Sequence, residues 1–196
     1  MASPTVVFVP GLREHVPDHW QTLLQARVAK SACVPRLGKG VLSCTAWVEA
    51  IDRTIASVEG PVVLAGHSAG VIMIAHWARL YRRPVRGAIL ATPPDLEREL
   101  PAGYPTRHAL EQNGWMPIPS DALPFESILV ASANDPLCTF ERAAEFAMGW
   151  NARFESAGAV GHLNPASGFG EWPRASGLLA EFGVEVDNRA AVAWQW

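Results

Sequence analysis

The stretch VVLAGHSAGVIMIAHW, residues 62–77, decides how this chain folds. Its opening VVLA is a short apolar run of the kind that forms a buried strand, and its closing VIMIAHW has the three-to-four residue period of a helix. GHSAG lies between them, so the chain must turn sharply from strand into helix with Ser68 on the turn. Gly66 and Gly70 stand two residues to either side, where side chains would collide as strand and helix close together. G-x-S-x-G in a strand–turn–helix setting holds a serine on a strained turn with its hydroxyl displayed above the sheet. Ser68 is therefore the candidate nucleophile.

Outward from this motif, short apolar runs alternate with longer stretches of helical period, which predicts an α/β fold. Strands are expected over 5–9, 33–36, 61–65, 86–91, 127–133 and 153–156, and helices over 18–30, 45–57, 69–82, 140–149 and 172–182. The nearly continuous apolar character of several strands predicts a mostly parallel sheet with helices on both faces. Sites in such sheets form beyond the C-terminal ends of the strands. No repeat or linker divides residues 1–196, so a single domain is expected. The segment 92–125 breaks the alternation: it holds seven prolines, with a short helix expected near 107–113. It leaves a strand's C-terminal end, and is expected either as a small lid over the site or as a surface excursion.

The totals exclude several classes of function. With 49% apolar and 18% charged residues the composition is that of a globular domain, and a net charge of −3 argues against nucleic acid or an anionic membrane as partner. Residues 60–78 carry no Asp, Glu, Lys or Arg, but a proline, the GHSAG break and two histidines make strand plus helix the better reading than a membrane span. The N-terminus lacks the charged start and long apolar run of a signal peptide. Cys33, Cys44 and Cys138 have neither disulfide-framework nor zinc spacing, so a cytoplasmic location and no metal are expected. VPGLREH, after the first strand, lacks the G-x-G-x-x-G that cradles a pyrophosphate, and no cofactor is expected.

A nucleophilic serine needs a base, and the base an orienting acid; in this architecture the order along the chain is serine, acid, histidine. Downstream of Ser68 the histidines are His76, His108 and His162. His76 is two turns along the serine's own helix, and His108 lies in the irregular segment. His162, in AGAVGHLNP after the last strand and before an Asn-Pro helix start, is the base the ordering selects. Asp135, in SILVASANDP, combines the right order with a place just past a strand's C-terminal end. For the oxyanion the donors expected are the amides of Ala69, next to the serine, and Leu12, after Gly11 in the first strand's loop. Arg13 in that loop could lend charge there, and is rather expected to be solvated.

Motifs spread along the chain carry a resemblance. VPG at 9–11, DHWQ at 18–21, the serine elbow, ATPPDLE at 91–97, SANDPLC at 132–138 and GHLNPASGFGEWP at 161–173 resemble the small serine hydrolases of the retinoblastoma-binding protein 9 type, especially bacterial members. The resemblance implies a compact α/β-hydrolase fold of about six strands. It places the family's serine, aspartate and histidine on Ser68, Asp135 and His162. Gly66 and Ala69 depart from the Ala and Leu common among relatives. The family name also implies a possible protein partner. Trp20 and Trp172, in DHWQ and GEWP, are candidates for the substrate pocket beside Gly11, or are core residues.

These residues predict a serine hydrolase cleaving a small ester, thioester or amide through an acyl-enzyme on Ser68. The same residues also suit an acyltransferase, and the scaffold would suit a catalytically silent protein-binding module.

Overall fold

The computed structural model describes residues 3–13, 16–38 and 40–187; the C-terminal AVAWQW lies outside them. In chain order the elements are β1 (Thr5–Val9), α1 (Trp20–Gln25), β2 (Ser31–Cys33), α2 (Cys44–Ala56), β3 (Val62–His67), α3 (Ala69–Leu80) and β4 (Gly87–Ala91). There follow α4 (Arg107–Gln112), β5 (Ser127–Ala131), α5 (Phe140–Gly149), β6 (Arg153–Ser156), a 3-10 turn (Pro165–Ser167) and α6 (Pro173–Glu181). The strands form one sheet in the order β2-β1-β3-β4-β5-β6, and every neighbouring pair is parallel.

This order locates the site. From β1 the chain steps to one side to make β2, then crosses back over β1 to make β3, and every later strand continues outward from there. Parallel crossovers are right-handed, so reversing direction places α1 on one face and α2, α3 and α5 on the other. The gap between the C-terminal ends of β1 and β3 is then uncovered from both sides, which is where open α/β sheets bind ligands.

Alternate side chains of each strand feed two cores. Val7, Val9, Leu64, Leu90 and Leu129 face α2, α3 and α5. Val6, Phe8, Val63, Ile89 and Val130 face α1 and α6. Helix α3 is buried on nearly all sides, which explains why residues 60–78 tolerate no charge. Its one deeply placed polar group is satisfied: Trp77 Nε1 donates to Asp52 at 3.2 Å, and Arg83 closes on the same carboxylate through two bonds of 2.6 and 2.8 Å. That guanidinium, followed by the Trp77 bond, holds Asp52 below the ordinary carboxylate range against the opposing effect of burial.

Several boundaries differ from the sequence expectation, and three of these differences have a visible cause. β2 begins two residues earlier than expected and ends at Cys33: Val34 N–H still donates to Phe8 O at 2.9 Å, but Pro10, next after β1, has no N–H to continue the ladder. α1 stops at Gln25 rather than continuing to 30, since Val28 pairs antiparallel with Val186. β5 ends at Ala131 because the Ser132 side chain turns out of the ladder to bond the loop after β6.

Candidate active site

Ser68 follows β3 directly, with φ 56° and ψ −132°. That φ is left-handed, a conformation costing a non-glycine residue of order 1–3 kcal/mol. The surroundings impose it. The Ser68 N–H donates to the Ala91 carbonyl at 3.0 Å, and its own carbonyl accepts from Val71 N–H at 2.9 Å. The elbow glycines permit the approach: a Cβ on Gly66 would lie 2.7 Å from Ile74 Cδ1, and one on Gly70 would lie 2.8 Å from the Pro10 carbonyl oxygen and 2.9 Å from the Val9 carbonyl carbon. The start of α3 therefore packs directly against the end of β1, and residue types larger than glycine would force them apart.

His162 and Asp135 reach this serine from the ends of β6 and β5. His162 Nε2 is 2.8 Å from Ser68 Oγ, and Nδ1 is 3.0 and 2.9 Å from the two Asp135 oxygens. The imidazole and carboxylate are 5% and 3% exposed, so water competes little for their bond. Asp135 is also fixed by Leu137 N–H, which donates to Oδ1 at 2.9 Å across Pro136. An ionised carboxylate only accepts, so Nδ1 carries the imidazole proton and Nε2 offers its lone pair to the serine hydroxyl.

The histidine's loop is pinned through its backbone. Gly161 N–H donates to Asn134 Oδ1 at 2.6 Å, Val160 N–H to Ser132 Oγ at 3.1 Å, and His162 N–H to Ser167 Oγ at 3.0 Å. The Asn-Pro signal at 164–165 does start a turn of 3-10 helix, with Asn164 as its cap. From the serine side, His67 Nε2–H donates to the His162 carbonyl at 2.9 Å. Burial, reinforced by neighbouring His19 and His162, holds the His67 imidazole well below its ordinary pKa. It is thus neutral at pH 7 and serves as a fixed strut.

The expected oxyanion donors border the same space. Ala69 is the first residue of α3, so its N–H has no helical carbonyl behind it. Gly11 brings the β1 loop so near that a Cβ there would lie 3.1 Å from Ser68 Cβ, with Leu12 next along the cavity wall. Gln21 sets the spacing of these strand ends, donating from Nε2 to the carbonyls of Val9 at 3.2 Å and Ala65 at 2.8 Å.

A cavity of about 660 Å³ opens over the serine, within the range of small-molecule sites. The segment 92–125 supplies Pro94, Leu96, Leu100 and Tyr104 to its wall, so this segment borders the site, while Leu110, Trp115 and Ile118 anchor it in the core. A second wall, from the β2–α2 loop, includes Val41 and Leu42. Two buried tryptophans hold that loop: Trp47 Nε1 donates to Val41 O at 3.1 Å and Trp115 Nε1 to Leu42 O at 2.6 Å. Trp20 and Trp172 do not line the cavity, which corrects their assignment to the pocket. They pack edge to face at 4.9 Å within the core beneath α1 and α6, because α1 turns its Trp20 toward the sheet.

Sequence reasoning passed over Gln21, Ser132, Asn134 and the 36–42 loop; the first three stand inside quoted motifs, while the loop carries no local signal. Burial raises the thiol of Cys33, and pushes those of Cys44 and Cys138 up to about 12, so none rivals the serine as a nucleophile at neutral pH. Among the described residues no three His, Cys, Asp or Glu side chains are grouped to share a metal ion, and no helix is long and apolar enough to cross a membrane.

A hydroxyl, an imidazole and a carboxylate in line can activate an oxygen nucleophile. The serine hydrolase family profile matches residues 6–181. The chain belongs to this family. It is a serine hydrolase by family, and its fold is that of the compact α/β-hydrolases. Among solved structures it is similar to a YdeN-like hydrolase of Pectobacterium atrosepticum, 28% identical over 92% of this chain and 90% of that one, with a TM-score of 0.78. The ydeN gene product of B. subtilis is 17% identical, over 92% of this chain and 99% of that one, at a TM-score of 0.69. Est1E of Butyrivibrio proteoclasticus, solved with ferulic acid bound, shares the fold at a TM-score of 0.64 and 14% identity, with 82% of each chain covered. No protein of curated function matches the chain significantly.

Proposed function

We propose that this serine hydrolase cleaves a small ester, thioester or amide through an acyl-enzyme on Ser68, with His162 as base and acid and Asp135 as the group that orients it. The observation that carries the reading is the relay from Ser68 Oγ through both ring nitrogens of His162 to Asp135, with its polar links at 2.8, 3.0 and 2.9 Å.

As Ser68 Oγ attacks the substrate carbonyl carbon, its proton passes to His162 Nε2. The imidazolium that forms is stabilised by Asp135, which keeps its negative charge throughout. The carbonyl oxygen becomes an oxyanion held by the amides of Ala69 and Leu12, each such donor being worth about 3 kcal/mol to the transition state. When the tetrahedral intermediate collapses, the bond to the leaving group breaks and His162 returns the proton to that group. Water then enters, gives a proton to His162 and attacks the acyl carbon; collapse releases the acid and restores the Ser68 hydroxyl.

Hydrolysis of p-nitrophenyl acetate by wild type, Ser68→Ala, His162→Ala and Asp135→Asn tests the reading. Losing the serine or the histidine is expected to lower kcat by a factor on the order of 10⁴ or more, and Asp135→Asn by about 10⁴. A folded Ser68→Ala protein within tenfold of wild type would refute it.

A further inference from the structure

Among the described residues, the Asp, Glu, Lys and Arg side chains that line the cavity over Ser68 are all of one sign. Much of its wall is aliphatic, from Leu12, Val41, Leu42, Leu96 and Leu100. No Asp or Glu stands among the described lining residues, whereas Arg13 and Arg36 both do, in a protein whose net charge is −3. Arg13 is exposed, as the sequence suggested, and it also meets a ring. Its guanidinium carbon lies 4.8 Å from the centroid of the Tyr104 ring, which comes from the 92–125 segment. No Asp or Glu among the described residues forms an ion pair with Arg13.

A guanidinium beside an aromatic ring spends none of its N–H donors on that contact, and its planar fork matches a carboxylate. We propose that the substrate is an acyl compound with a carboxylate remote from the scissile bond, its apolar chain lying along the aliphatic wall and its anion received by Arg13. The proposal rests on the acyl-enzyme reading above and specifies the substrate class of that site.

Three p-nitrophenyl esters of similar length test it: the monoester of adipic acid, the neutral heptanoate and the cationic ε-aminocaproate, each corrected for spontaneous hydrolysis. The expected order of kcat/KM is anionic, neutral, cationic. The anionic ester should lead the neutral one by about fivefold, the scale of one partly exposed ion pair. Raising the salt concentration to about 0.5 M should compress that spread. Arg13→Gln should bring the anionic-to-neutral ratio close to one, and Arg13→Lys should recover part of it. The ratio is internal to each variant, so general damage to the fold moves both substrates together and leaves it unchanged. A cationic or neutral ester preferred over the anionic one, or a ratio indifferent to Arg13→Gln, would overturn the substrate class while Ser68-dependent hydrolysis stands. No Ser68-dependent turnover of any of the three would instead overturn the acyl-enzyme reading and this inference with it.

Discussion

Replacing Gly70 by alanine should separate the catalytic geometry from the catalytic groups, because it changes none of the reacting side chains. The new methyl would lie 2.8 Å from the Pro10 carbonyl oxygen and 2.9 Å from the Val9 carbonyl carbon, and nearer still to the Val9 oxygen. Ordinary contacts begin near 3.5 Å, so α3 and the end of β1 must part by about 1 Å. Those are the two segments that carry the Ala69 and Leu12 amides. Overpacking of this size typically costs about 1–3 kcal/mol of stability. A misplacement of about 1 Å can cost roughly a hundredfold in rate. The expected result is therefore a folded protein with kcat lowered about a hundredfold, on the scale of losing one oxyanion donor. Steady-state kinetics on p-nitrophenyl acetate, with urea unfolding of the same preparation, would measure both quantities. Gly170→Ala is the control, since a Cβ there meets nothing closer than 3.5 Å. A Gly70→Ala enzyme within threefold of wild type would refute the claim that this approach sets the site.

Gly177 lies exposed inside α6, where an added Cβ comes no nearer than 3.5 Å to Arg174 Nη1; Gly177→Ala should raise stability by about 0.5–1 kcal/mol in urea unfolding. Asn134→Ala removes the acceptor for Gly161 N–H and Ser132 Oγ, and should lower kcat about tenfold with KM little changed, because the His162 loop loses its anchor. His76 is held below its ordinary pKa, chiefly by burial. The unfolded chain therefore takes up a proton from about pH 6.5 downward while the folded state resists it, and stability falls as pH drops through that window. His76→Gln should flatten this fall, seen as a smaller difference in urea midpoint between pH 7.5 and pH 5.5; an unchanged difference would contradict it.

Most of the architecture was legible because period and punctuation agree along the chain. The strands 5–9 and 153–156 and the helix 140–149 match the expectation at both ends. That Ser68, Asp135 and His162 would meet was legible for a different reason: all three were expected beyond strand ends on one edge of the sheet, where few residues of the required type stand in the required order. The 92–125 segment was opaque because Leu96, Leu110, Trp115 and Ile118 bury themselves in the main core without any period. The same limit hid the partners of His67, which was expected to support the elbow's own backbone but bonds a carbonyl 95 residues away, and of Gln21, which bonds one 44 residues away. The tryptophans mark the boundary of composition as evidence. Trp20 and Trp115 are both buried, yet only Trp115 bonds a loop of the cavity wall.

The central claim, that Ser68 is the activated nucleophile, is tested most directly by fluorophosphonate labelling with mass-spectrometric mapping. Wild type should gain one covalent adduct on Ser68, and His162→Ala should lose it while remaining folded. Labelling at another residue, or labelling of Ser68 that is unaffected by His162→Ala, would contradict the account.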